Sequence, residues 1–174
     1  MHSRILNKKT WFHFLWQPAF AVVFLCVVLF FMNRYTTSDL LWAVGAGALA
    51  SSCFIVFGKP SSSTAKPFKI IGGYVLGILV GVIFHSIALH FHDLPAGFLG
   101  TVHFHTVGLI AAICTGVCLL LMSLLRLEHP PAAGVSLVLV IDLRDYYVVF
   151  IVFIAAIILA GIRHLLCHRL IDLA

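Results

Sequence analysis

The residues with the most chemistry to offer lie in one short run, Glu128-His129-Pro130-Pro131-Ala132. Two prolines remove two backbone donors, and proline is well tolerated in a first helical turn, where amides have no partner anyway. The run therefore reads as a helix start that leaves the amides of Ala132, Ala133 and Gly134 at its open end. Such an end carries about half a positive charge and attracts anions. His129 adds a positive charge that depends on pH, and Glu128 is a second group able to carry a proton. Hydroxyl donors for an anion are available at Ser136 and, in an earlier segment, at Ser51 and Ser52. The plainer alternative is a rigid loop capping a span, with Glu128 paired to Arg126 at the headgroups.

A second set of polar residues gathers around positions 93–100. His85, His90, His92 and Asp93 precede this stretch or open it, and His103 and His105 follow it. Imidazole and carboxylate together suit zinc, copper or nickel. An i, i+2 pair does not share a helix face, however, which favours interfacial or packed histidines over ligands at His90, His92, His103 and His105. Five cysteines (Cys26, Cys53, Cys114, Cys118 and Cys167) sit in apolar runs without metal or disulfide spacing. No nucleophile–base pair, phosphate loop or zinc-protease motif occurs. An enzyme is not expected, and no cofactor is called for.

The elements that must position these residues are membrane helices. Of the 174 residues 62% are hydrophobic and only 10% charged, against about 45–50% and about 25% in soluble domains. Too few charges remain to cover a soluble surface, and the composition is the opposite of a disordered chain. Apolar segments run over Pro18–Met32, Leu40–Phe57, Ile70–Phe91, Phe98–Leu125 and Tyr146–Leu166. Each approaches or exceeds the roughly 17–25 residues needed to cross about 30 Å of hydrocarbon. Ala132–Ile141 is apolar but only about half a bilayer long as a helix. The fold class is thus an all-α polytopic membrane protein, with five long helices and a short re-entrant or broken one. Residues 1–16 are basic and aromatic and suit an interfacial helix, and 17–174 form a single transmembrane domain.

The net charge of +5 points to positive residues held on the cytoplasmic side rather than to a nucleic-acid partner. With the N-terminus inside, Arg4, Lys8, Lys9, Lys59, Lys66, Lys69 and Arg126 are all cytoplasmic, as expected for a bacterial inner (plasma) membrane. If the short segment turns back, Arg163 and Arg169 fall outside with Arg34. If it completes a sixth crossing, they fall inside and only Arg34 and Arg144 remain outside. A weak symmetry accompanies the six-segment version. Gly45–Phe57 and His129–Ile141 are shorter Gly- and Ser-containing segments at matching places, as in a 3+3 inverted repeat. Gly73, Gly77 and Gly81 form a small-residue face suited to helix packing, within the subunit or in a homo-oligomer.

Glu128-His129-Pro130-Pro131-Ala132-Ala133-Gly134 resembles the signature of the HPP family of integral membrane proteins. Ser52, Phe57, Pro60, Pro67 and Ile70-Ile71-Gly72-Gly73 are similar to that family's first conserved block, so the resemblance spans about residues 20–170. It implies a transport protein, since members in cyanobacteria and plastids are implicated in nitrite transport. Two departures bear on substrate. Tyr74 follows Gly72-Gly73 where many relatives have histidine, and Ala132-Ala133-Gly134-Val135 replaces the frequent Ala-Gly-Ala-Thr, with Ser136 the nearest hydroxyl.

The function expected is a small-anion, nitrite-like transporter or channel, whose partners are the lipid bilayer and a small inorganic anion. The anion would meet His129, Pro130, Pro131, Ala132, Ala133 and Gly134, with Gly72 and Gly73 allowing close backbone approach and Ser51, Ser52 and Ser136 donating. A helix end contributes about 0.3–1 kcal/mol, at most about 2. A charge at the bilayer centre costs about 2.5–3.5 kcal/mol or more. One dipole is insufficient, so several donors or water must share the site. Entry against an inside-negative potential costs a further ~2.3 kcal/mol per 100 mV, which proton entry through His129 or Glu128 would offset. The alternative is a non-transporting membrane module, such as an outer-face metal or pH sensor or a scaffold for a partner.

Overall fold

The computed structural model describes residues 8–92, 103–143 and 146–173. The side chains of residues 8–11, 91–92 and 103–106 lie outside that description, as do Arg4, Asp93 and Arg144. Six helices follow one another without an intervening strand among the described residues: α1 (Lys8–Tyr35), α2 (Asp39–Cys53), α3 (Pro67–His92), α4 (His103–Leu124), α5 (Pro130–Ile141) and α6 (Tyr146–Leu165). A wide π-type turn, Phe54–Gly58, extends α2, and a single tight turn, Ser63–Ala65, precedes α3. Five of the helices are long and apolar enough to cross a membrane, and α5 is not. The basic and aromatic stretch before Trp16 runs into the first span without a break, so among the described residues it is the start of α1 and not a separate helix.

The distribution of side chains is inverted relative to a soluble domain. Large apolar groups such as Phe30, Leu120, Phe150 and Leu165 face outward, while Gln17, Ser52, His129 and Ser136 are fully buried. That pattern suits a lipid solvent, where outward apolar surface costs nothing and polar groups must find partners inside.

The short helix α5 is the centre of the bundle. It packs against α2, α3 and α4, and Ala132, Ala133, Val135, Ser136, Val138, Leu139 and Val140 are all buried. Its closest neighbour is α3, and the two run parallel and in step. A Cβ on Gly73 would meet His129 Cβ at 2.7 Å, one on Gly77 the Ala132 carbonyl oxygen at 2.4 Å, and one on Gly81 the Ser136 Cα at 3.1 Å. Further along, His85 Nδ1 lies 3.2 Å from the Val140 carbonyl. The glycine face expected for packing is therefore used within the subunit, as the groove that seats α5.

The two ends of α5 fix its sense. At its C-terminal end Asp142 accepts a 2.6 Å hydrogen bond from Ser38, which also caps α2 by accepting from the Leu41 amide at 3.0 Å. At the other end the polar 59–66 loop meets the segment 163–173. Leu173 N–H donates to the Gly58 carbonyl at 2.8 Å, Arg163 to that of Pro60 at 2.8 Å, and Ser61 N–H to Asp172 at 2.9 Å. Buried Gln17 of α1 ties these together, donating to the carbonyls of Phe57 and Ile171 and accepting from the Ile171 amide at 3.2 Å. So α5 does not turn back. It runs from the loop end to the Ser38 end, and α6 returns the C-terminal residues to the end that holds Gln17 and Gly58. Of the two topologies open in the sequence, the six-segment one is built.

Candidate functional site

Pro130 and Pro131 start α5 at its first two positions, as their fixed φ and missing amides favour. His129 is the residue before them, fully buried, and it meets three elements at once. Its Nε2 is 2.9 Å from the Ser52 hydroxyl of α2. Its Nδ1 is 3.1 Å from the Thr64 carbonyl in the turn before α3. Its ring lies 5.6 Å, centroid to centroid, from that of Tyr74 on α3. Ser52 in turn sits 3.0 Å from the Tyr74 hydroxyl and 2.9 Å from the Ala48 carbonyl of its own helix. A carbonyl only accepts, so the hydrogen toward Thr64 is on Nδ1, and in a neutral ring Nε2 accepts from Ser52.

Depth follows from helix rise. Ser52 is six residues from Gly58, and Gly73 is six residues from Pro67, so each lies about 9 Å inside the loop end of its helix. His129 is therefore about 9 Å below the loop end of the bundle, under the 59–66 loop that bends in to reach it. Two features close the loop side. Arg126, at φ 57°, ends α4 in the left-handed conformation, with Leu127 N–H bonded to the Met122 carbonyl at 2.8 Å and Arg126 N–H to that of Ser123 at 3.2 Å. Glu128 then pairs with Lys69, not with Arg126, and Lys69 also donates to Ser63 at 2.9 Å. The Lys69 bond holds the Glu128 carboxyl below its ordinary range, so it is ionised at neutral pH and poorly placed to carry a proton.

Several expected site residues are not brought to this centre. Ser51 is exposed and bonds back to the Gly47 carbonyl at 2.9 Å, because neighbours on a helix face different directions. Ser136 is buried but donates to the Ala133 carbonyl at 2.7 Å. Gly72 and Gly73 do not leave room for a ligand; Leu127 and His129 fill the space above them. Ala132 N–H is already bonded to the His129 carbonyl at 3.0 Å. Pro130 is exposed, and Pro131 and Gly134 are half-buried. Ser52 and His129 are thus the two expected polar residues that meet.

Two residues of the centre escaped sequence reasoning. Tyr74 registered only as an absent histidine, although a hydroxyl beside a glycine groove was a signal that it points inward. Thr64 contributes a backbone carbonyl, which no side-chain pattern announces. Of the histidines around 93–100, His90 is exposed, 3.4 Å from its own helix carbonyl at Ser86, and the side chains of His92, His103 and His105 lie outside the described residues. No group of three or more potential metal ligands gathers among the described residues.

The family model described as HPP, transmembrane region, matches residues 6–171. The chain belongs to the HPP family. With its apolar helices, that makes it a multi-pass integral membrane protein. Neither the curated proteins nor the solved structures gave a match. In this HPP protein the name-giving tripeptide, His129-Pro130-Pro131, is the junction at which α2, α3, α5 and the 59–66 loop are hydrogen-bonded together. The two blocks that carry the family resemblance, around Ser52–Gly73 and around His129, are the two sides of that junction.

Proposed function

We propose that this HPP protein moves a small inorganic anion across a bacterial inner membrane, with its N-terminus cytoplasmic, and that it is not an enzyme. The observation that carries the reading is the burial of His129, Ser52 and Tyr74 together at the start of a half-length helix, inside an otherwise apolar bundle. Polar side chains at such depth are costly and mark substrate or ion pathways. The positive end of the α5 dipole adds a favourable electrostatic term of about 0.3–1 kcal/mol, although its first amide, Ala132 N–H, is already bonded. His129, Ser52 and Tyr74 supply the further donors that one helix end lacks.

In the conformation described, the centre is closed: His129, Ser52 and Tyr74 are all fully buried. An anion reaches it when the 59–66 loop lifts Thr64 away from the imidazole. Nitrite is the first substrate to try, on the strength of the family resemblance. Purified protein in liposomes should take up nitrite faster than protein-free vesicles, and His129→Ala should reduce that excess by at least tenfold. Folded protein that moves neither nitrite nor nitrate nor chloride would sink the reading.

A further inference from the structure

The hydrogen-bonding groups around His129 can be satisfied in two ways that differ by one proton. In the first, Tyr74 O–H donates to Ser52, Ser52 O–H donates to Nε2, and Nδ1–H donates to Thr64. In the second, Nε2 carries a hydrogen and donates to Ser52, whose hydroxyl turns to the Ala48 carbonyl at 2.9 Å, while Tyr74 keeps its bond to Ser52. Hydroxyl hydrogens rotate freely, so no heavy atom has to move between the two. Ser52 is the pivot, and every group keeps a partner in both arrangements.

Charge decides when the second arrangement is reached. The groups facing His129 are neutral: Ser52 from α2, Tyr74 from α3 and the Thr64 carbonyl from the loop. Cys53 of α2 lies next to Ser52, and the α4 thiols Cys114 and Cys118 face Ser136, two turns further along α5. Lys69 and Glu128, the ionised pair at this end, neutralise each other. Arg126 is exposed, and Arg163 is bonded to the Pro60 carbonyl. The positive end of α5 opposes a second positive charge. A buried imidazolium here has no counter-charge of its own, and a bound anion supplies one.

We propose that His129 is the coupling site of this transporter: it takes a proton on Nε2 when a monovalent anion binds, and one proton enters with each anion. This rests on the anion reading above. The Nε2 lone pair forms the new N–H bond with a proton drawn from water on the side of entry, and that bond breaks when the anion leaves on the other side. The pair that crosses is electrically neutral, so the membrane potential neither drives nor opposes it.

The test uses the full chain in detergent, unbuffered, with a pH-indicating dye and sodium nitrite as the probe. About one proton should be taken up per nitrite bound, by the reciprocity of linked binding, and none by His129→Gln. Infrared difference spectra of histidine-labelled wild type should show imidazolium on nitrite addition, which needs no variant. In liposomes, nitrite uptake above the protein-free rate should be unchanged by a valinomycin-set potential and should rise up to about tenfold per unit fall in pH. Nitrite binding without proton uptake, or flux that follows the potential, would overturn the coupling and leave the anion reading standing. Failure to bind or move nitrite, nitrate or chloride removes both.

Discussion

At the scale of single residues, the junction turns on Ser52. Its hydroxyl meets Ala48, Tyr74 and His129, so Ser52→Ala leaves both a buried imidazole nitrogen and a buried phenol without their partner. Orphaning buried polar groups costs about 1–3 kcal/mol each. Tyr74→Phe removes one partner and leaves the Ser52 hydroxyl donating to His129, which costs about 1 kcal/mol. Thermal unfolding in detergent should therefore rank wild type above Tyr74→Phe, and that above Ser52→Ala. The reverse order would mean that Ser52 is not the shared centre. His129 was legible as the residue with chemistry because of the two prolines after it. Which residues it would meet was not, since Ser52, Thr64 and Tyr74 are 77, 65 and 55 positions away.

At the scale of elements, the packing of α5 on α3 is set by three glycines at four-residue spacing. Their type and spacing predicted close helix approach, and the structure supplies the partner. Gly77→Ala would place a methyl 2.4 Å from the Ala132 carbonyl oxygen, a backbone atom that cannot step aside. Overpacking of this kind costs about 1–3 kcal/mol. Gly116 of α4 has nothing within 4 Å of its Cβ position, so Gly116→Ala should be neutral or gain up to about 1 kcal/mol from helix propensity. Comparing the two by thermal unfolding in the same detergent separates packing from propensity. Equal losses would show that the α3–α5 contact is looser than described. The two expectations for Gly73, helix packing and approach to a ligand, compete for the same space, which the His129 side chain takes, as Leu127 takes the space beside Gly72.

At the scale of the whole molecule, the path of the chain is settled by the segment 163–173. Gln17, Gly58, Ser61 and Pro60 all bond to the segment 163–173, which places the first turns of α1, that segment and the 59–66 loop together. In a cysteine-free background, Lys59→Cys and His168→Cys should react with a membrane-impermeant maleimide from the same face, and Thr37→Cys from the opposite one. With the N-terminus cytoplasmic, only Thr37→Cys should label in intact cells. Labelling of His168→Cys together with Thr37→Cys would restore the re-entrant topology. On the transport proposed above, the closed loop end supplies a physical step, because Thr64 would have to leave His129 before an anion arrives.

The sequence by itself determined the solvent and the elements. An apolar run of about 20 residues has nowhere stable to go but a bilayer, and two prolines before a short apolar stretch dictate where a helix begins. It also singled out His129, because an ionisable group in such surroundings must be partnered. Only the tertiary structure decided that α5 runs on from the loop end to the Ser38 end instead of turning back, that Glu128 belongs to Lys69, and that Tyr74 is part of the centre. Charge counting separated the two topologies by a single residue, whereas side-chain shape separates them outright. A half-length helix is too short to be placed by its own hydropathy. It is placed by the glycine groove of α3 that fits it and by Ser38 and Thr64, which hold its two ends.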